Sequence, residues 1–256
     1  MAKNTTSIIN RRTKNKIIGT SVSIVILKGG KIDTKLFKIC IDSASWADEI
    51  VIVDTKNISG SFSEWRNEGL KKAKSDWVLY LDTDEEITSS LRSEIIHLVD
   101  DSTIKINAYA IPRRNYIFNK EFKYSGQYPD YQKRLFKREK LVKWTGEVHE
   151  EPVILGKMGH LKNPMIHHKN MTLSDMIEKT NKWSEIEAQL MFDSKHPPMN
   201  GFRFFTAGAR EFIKRFIKER AFLDGKEGVI YGIYQIYSKL ISYSKLWEKQ
   251  QSTIHI

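Results

Sequence analysis

The residues with the clearest capacity for chemistry lie in LYLDTDEE, where an apolar run ends in Asp82, Thr83, Asp84, Glu85 and Glu86. An apolar strand that delivers Asp-x-Asp to a sheet edge offers hard oxygen ligands to a divalent ion, which could bridge the oxygens of a diphosphate. Magnesium or manganese suits such a site. The same string fits an acidic helix N-terminus equally well, with Asp82 or Asp84 as N-cap and Glu85 and Glu86 in the first turn, where the helix dipole favours them.

The flanking elements decide where these acids would lie. SVSIVIL (21–27) is a β-branched apolar run closed by Gly29 and Gly30, as expected of a buried parallel strand. A helix is expected over 33–44 with Leu36, Ile39, Cys40 and Ala44 facing inward, then a second buried strand, EIVIVD, ending in Asp54. A helix around 63–74 leads to the strand that carries the acids. Strands alternating with helices predict an open α/β sheet, whose ligand crevice lies at the carboxyl ends of the strands. Asp54, Asp82 and Asp84 all fall there.

Residues 108–164 read as a mixed region completing the sheet. Thr172 and Asp175 open a further helix with Met176, Ile177, Trp183, Ile186 and Leu190 at helical spacing. Past HPPM (196–199), Ala209, Phe212, Ile213, Phe216 and Ile217 form one face of a helix and Arg210, Lys214, Arg215 and Lys218 the other, a basic amphipathic pattern. A last helix is expected over about 226–247.

At 256 residues with one cysteine, Cys40, the chain has neither an internal disulfide framework nor a multi-thiolate zinc site. It has no run of roughly 18 apolar residues and no signal-peptide core, so a cytoplasmic protein is expected. The net charge of +11 calls for an anionic partner: nucleic acid, nucleotide diphosphate or acidic lipid.

WADEIVIVD followed by WVLYLDTDEE resembles the donor-binding half of family-two glycosyltransferases of the GT-A fold. YPDYQKRLFKR (128–138), GEVHEEP (146–152) and FLDGKEGVIYGIYQIYSKLISYSKLWE (222–248) resemble the lipopolysaccharide-core β-glucosyltransferase group of that family, so the resemblance spans about 21–249. It implies that Asp54 contacts the nucleotide base or ribose, that Asp82 serves ribose and metal, and that Asp84 is the principal metal ligand. It further implies that Arg66 faces the nucleotide, with a helix-surface arginine as the plain alternative. Glu150 is the implied base that deprotonates the acceptor hydroxyl, with Asp130 as the alternative, while Gln132 and Arg134 position phosphates or acceptor. His149 is a nitrogen ligand to the metal, an orienter of Glu150, or simply structural. Trp144 and Tyr128 stack on sugar faces or pack in the core.

Two departures from the family pattern stand out. Only eleven residues separate Asp54 from Arg66, where the family has an additional helix and strand, so the sheet is expected to be one strand short. Lys28-Gly29-Gly30 replaces the usual Asn-Glu pair.

The expectation is an α/β, GT-A-like (Rossmann-like) mixed sheet flanked by helices. Its parts are a flexible basic arm (1–20), a glycosyltransferase domain (21–195) and a helical, membrane-associating region (196–256). The function expected is inverting, Mn2+- or Mg2+-dependent transfer of a hexose from a UDP-sugar such as UDP-glucose to a lipopolysaccharide-core or other cell-surface glycan. It would take place on the inner face of the cytoplasmic membrane, with no nucleic-acid partner. The rivals are a basic nucleic-acid-binding protein, a nucleotidyl- or phosphoryl-transferring metal enzyme, and an inactive relative.

Overall fold

The computed structural model describes residues 6–10, 19–30, 32–57, 60–146, 150–169 and 172–252. They form two compact units, Met1–Arg114 with Pro129–His168 and Asn115–Tyr128 with Lys169–Ile256.

The first unit opens with β1 (Thr6–Asn10), β2 (Val22–Lys28), α1 (Thr34–Ser43), β3 (Glu49–Asp54), α2 (Phe62–Lys72) and β4 (Trp77–Asp82). A short β5 (Glu85–Ile87) and α3 (Ser89–Asp100) lead to the long β6 (Ile106–Ile117), which carries the chain into the second unit. There β7 (Lys120–Glu121) folds back on it. Then come β8 (Asp130–Lys137), β9 (Leu141–Thr145), β10 (Glu151–Ile154), β11 (Lys157–His160) and β12 (Met165–Lys169). The main sheet runs β1-β3-β2-β4-β8-β6-β12-β5. It is parallel where β2 meets β3 and β4, and antiparallel where β8 meets β4 and β6.

Strands buried on both faces explain why β2 and β4 read as unbroken apolar runs. Ile24, Ile26, Leu79 and Leu81 point to one face and pack with Cys40, Leu91 and Ile95 of α1 and α3. Val25, Val78 and Tyr80 point to the other, with Val53, Phe136 and Trp144. α2 crosses this second face so closely that a Cβ on Gly69 would lie 2.3 Å from Val25 Cγ1. α1 starts at Asp33, whose carboxylate accepts from Lys35 N and Leu36 N, and α2 at the Ser61/Glu64 capping box. Of the expected inner face of α1, Cys40 and Ala44 are buried but Ile39 is exposed; Phe37 and Ile41 pack against the core instead.

Residues 6–10 are not an unstructured arm: β1 pairs antiparallel with β3 from Thr6↔Val53 to Asn10↔Glu49. Between β3 and α2 the described chain forms only a 3-10 turn at Thr55–Asn57. Among the described residues no further strand lies between β3 and α2, and β1 occupies the edge beside β3.

The second unit holds α4 (Leu173–Asp193), α5 (Gly201–Phe212), a π-helical turn at Ile213–Lys218 and α6 (Gly225–Ser252). Because α4 clusters with α5 and α6, this helical unit includes residues well before 196. The predicted Thr172/Asp175 capping box starts α4. Its buried stripe is Met176, Thr180, Ser184 and Ala188, the last three small enough to admit α6 closely, while Ile177, Trp183, Ile186 and Leu190 are exposed. Spacing identifies a helix face but not which of two faces is covered. Asp224 is buried and structural: it accepts from Lys123 N at 2.9 Å and from Ser125 Oγ at 2.8 Å.

Candidate active site

Parallel register brings the acids together. Lys28 lies opposite Asp54 and Leu27 opposite Asp82, so both aspartates stand at the carboxyl edge of the sheet. After Asp82 the chain turns through Thr83 and Asp84 and re-enters the sheet as β5. The acidic string is thus a strand–turn–strand, and the helix that follows is capped by Thr88, not by Asp82 or Asp84. β12 pairs with β5, His167 opposite Glu85, which brings His167 Nε2 to 3.5 Å from Asp84 Oδ2. The Asp84 carboxylate is half exposed.

Around Asp82 three arginines alternate with four carboxylates. Arg66 Nη2 lies 3.3 Å from Glu150 Oε1 and 3.5 Å from Asp82 Oδ1. Arg134 donates to both Asp82 oxygens and, at 2.8 Å, to Glu85 Oε1. Arg113 reaches Glu85 at 3.2 Å and holds Asp130 Oδ2 through Nε at 3.0 Å and Nη2 at 2.6 Å. Gln132 Nε2 donates to Asp130 Oδ1 at 2.8 Å. Glu85, with no exposed side-chain surface, also accepts the Asp82 N–H at 3.0 Å.

Burial opposes the Asp82 charge, but Arg134, Arg66 and Arg113 outweigh it and hold the carboxyl well below its usual range. Burial likewise opposes the Arg134 cation, and Asp82 and Glu85 push its pKa up. Burial, and then the charges of Glu85, Asp82 and Asp84, raise the Cys40 thiol, the opposite of the shift an activated thiolate needs.

A sequence model described as "Glycosyl transferase family 2" matches residues 24–152, just over half of the chain, including the three arginines and four carboxylates of the network around Asp82. The chain belongs to glycosyl transferase family 2. This glycosyltransferase is 22% identical over 235 residues to the lipopolysaccharide core biosynthesis glycosyltransferase LpsC of Rhizobium meliloti (strain 1021), covering 82% of this chain and 86% of that protein. It is 23% identical over 229 residues to an uncharacterized glycosyltransferase of Rickettsia conorii, covering 82% and 80%. Among solved structures it resembles S. aureus TarS in complex with UDP-GlcNAc, with a TM-score of 0.44, 10% identity and coverage of 91% and 92%. It also resembles the mannosyltransferase PcManGT of Pyrobaculum calidifontis with GDP-Man and Mn2+, with a TM-score of 0.48, 11% identity and coverage of 91% and 88%. Its mixed sheet flanked by helices is the expected α/β, GT-A-like architecture, and no helix of the described residues is long and apolar enough to cross a membrane.

Of the residues singled out in the glycosyltransferase sequence, Arg66, Asp82, Asp130, Gln132, Arg134 and Glu150 form the network, and Asp84 lies at its rim. Asp54 sits on the neighbouring strand end, where its Oδ1 accepts from Lys56 N at 3.1 Å. Gln132 is engaged by Asp130, and Arg134 by Asp82 and Glu85. Arg66 is a buried residue, not a helix-surface one, and its guanidinium stacks 4.8 Å from the Trp144 ring. Trp144 is buried against Tyr80 and Phe136, so it packs in the core. Tyr128 is exposed and belongs to the second unit. His149 lies outside the described residues. Sequence reasoning missed Arg113, Glu85 and His167. Glu85 was visible in the acid string, where the helical reading put it in a first turn, whereas it lies in β5 and accepts the Asp82 N–H.

Proposed function

We propose that this glycosyltransferase transfers a hexose, with inversion, from a UDP-sugar to a lipopolysaccharide-core or other cell-surface glycan acceptor carried by the cytoplasmic membrane. The observation that carries the reading is the strand–turn–strand at Asp82-Thr83-Asp84, with Glu150 held across Arg66 from Asp82. The name of LpsC supports the choice of acceptor.

The donor chemistry fits a divalent ion. Five carboxylates (Asp82, Asp84, Glu85, Asp130, Glu150) face three guanidiniums, which leaves an excess of negative charge for a cation to balance. Among the described residues no three His, Cys, Asp or Glu form a cage. Mg2+ and Mn2+ bind through one or two carboxylates and complete their shell with substrate phosphates. Asp84, with Asp82 beside it, would hold the ion, and His167 Nε2 lies 3.5 Å from Asp84 Oδ2. When bound, the ion would offset the charge that builds on the departing diphosphate.

The remaining work falls to the chain. Glu150 takes the acceptor proton as the acceptor oxygen bonds to the anomeric carbon and the bond to UDP breaks. Arg66 orients Glu150 through its ion pair. Asp130 is held on both oxygens by Arg113 and Gln132, which favours Glu150 over it as base.

Calorimetry of UDP with and without Mn2+ tests the donor site. Metal-dependent binding is expected, weakened more than tenfold in Asp84→Ala. Glu150→Gln should bind UDP normally and lose turnover about 10²- to 10⁴-fold. Absence of UDP binding under every condition would favour an inactive relative, and an active Glu150→Gln with a dead Asp130→Asn would move the base to Asp130.

A further inference from the structure

The second unit leaves its most exposed aromatic side chains on one short helix. Phe202 and Phe205 of α5 are 76% and 73% exposed, and the edge continues through Phe212 and Ile217, at 49% and 63%. Phe205 and Phe212 also border an open apolar groove of about 690 Å³ that reaches Ile236 and Leu240 of α6. Leaving such rings in water forfeits the favourable burial of their apolar surface.

Charge identifies what would cover them. Arg203, Arg210, Lys214 and Lys218 stand exposed along the same element. Arg215, expected among them, instead turns inward to Glu211 and Glu219 because the π turn shifts the phase of the helix. Over 201–218 there are five basic residues and a single acid. Directly beside Phe202 opens a polar pocket of about 330 Å³ lined by His196, Asn200, Arg203, Thr206, Arg210 and Tyr243, cationic and sized for a phosphate headgroup. The rival apolar stripe, Trp183, Ile186 and Leu190 on α4, lies on a helix with five acids against two lysines, which anionic lipid would repel.

We propose that α5 and the π turn dock in the headgroup layer of an anionic phospholipid bilayer, with the Phe202, Phe205 and Phe212 rings below the phosphates and a lipid phosphate in the Arg203/Arg210 pocket. The arrangement is that of an interfacial helix, apolar on one side and cationic beside it. It deepens, and rests on, the reading of a membrane-borne acceptor, but its test needs neither donor nor turnover.

Because Cys40 is buried, the full-length Phe205→Cys variant can be labelled at that site with an environment-sensitive fluorophore. Phosphatidylglycerol vesicles should shift its emission to the blue, while phosphatidylcholine vesicles and inorganic phosphate should not. The Arg203→Gln/Arg210→Gln pair should weaken partitioning about 25-fold at low salt, at about fivefold per cation. Phe205→Ser, with unchanged circular dichroism, should weaken it as well. A silent label at Phe205→Cys with a responding one at Leu190→Cys would overturn the proposal. So would a Phe205→Ser variant that turns a dimer into a monomer in sedimentation while binding vesicles normally. Vesicle binding without UDP binding would count against the proposed function and leave the membrane face standing.

Discussion

In the first unit Arg66, Arg113 and Arg134 are each held between two carboxylates: Asp82 and Glu150, Glu85 and Asp130, Asp82 and Glu85. In the second, Arg203, Arg210, Lys214 and Lys218 stand in solvent along one helix beside uncovered phenylalanines. Both sets contribute to the same net charge, and composition cannot tell them apart. A buried guanidinium is too costly to desolvate unless the fold supplies its anions, so the first set is specified internally. An exposed cation costs almost nothing, and its use depends on what approaches from outside.

The strongest way to break this contrast is Glu85→Gln. It removes the carboxylate shared by Arg134 and Arg113 while keeping the shape, and it leaves the buried Arg134 and the partly buried Arg113 each short of an anion. Loss of one partner in such a buried pair costs about 3–5 kcal/mol. Urea unfolding should show that loss, whereas Arg210→Gln in the second unit should stay within about 0.5 kcal/mol. Equal effects would mean that the network is not an internally paired structure. A smaller effect is expected from Gly69→Ala, where the added Cβ meets Val25 under the sheet edge that carries the site. Overpacking there should cost about 1–3 kcal/mol, while Gly201→Ala, at the start of α5 with nothing within 4 Å, should be close to neutral in the same titration.

Much of the first unit was legible because parallel strands buried on both faces leave a continuous apolar signature. β2, β3 and β4 announce themselves in SVSIVIL, EIVIVD and WVLYLD, and Asp54 and Asp82 end their strands as expected. What stayed illegible depends on pairing across long sequence distances. Whether LDTDEE continues into a helix or a strand is decided by β12, some 80 residues later, and the same pairing brings His167 to Asp84. Nothing local singles out Arg113, which meets Asp130 only because β6 pairs with β8. β1 was unreadable because its five residues gain structure only from the bare edge of β3. In the second unit helical period was plain, but period fixes only where faces lie. The small stripe of α4 won over the large one because α6 packs there.

Acid titration gives the subtlest test of the same contrast. The Asp82 carboxyl is held below its ordinary value of 3.8 by the surrounding arginines, so its ionisation contributes stability that is present above that value and lost as pH falls through the lower folded-state value. In the second unit Glu187 behaves alike on a smaller scale: burial opposes its charge, yet hydrogen bonds from Lys239 and Ser242 lower it below 4.5. Wild-type stability should therefore fall as pH drops below about 4.5, first through Glu187 and then, below about 4, through Asp82. Asp82→Asn should reduce only the later part of that fall, and Glu187→Gln only the earlier. If Asp82→Asn left the slope below pH 4 unchanged, the arginines would not be acting on Asp82 as the geometry requires. A slope unchanged in both variants would place the acid sensitivity elsewhere, with Asp76, lowered by its hydrogen bonds from Ser21, as the next carboxylate to replace.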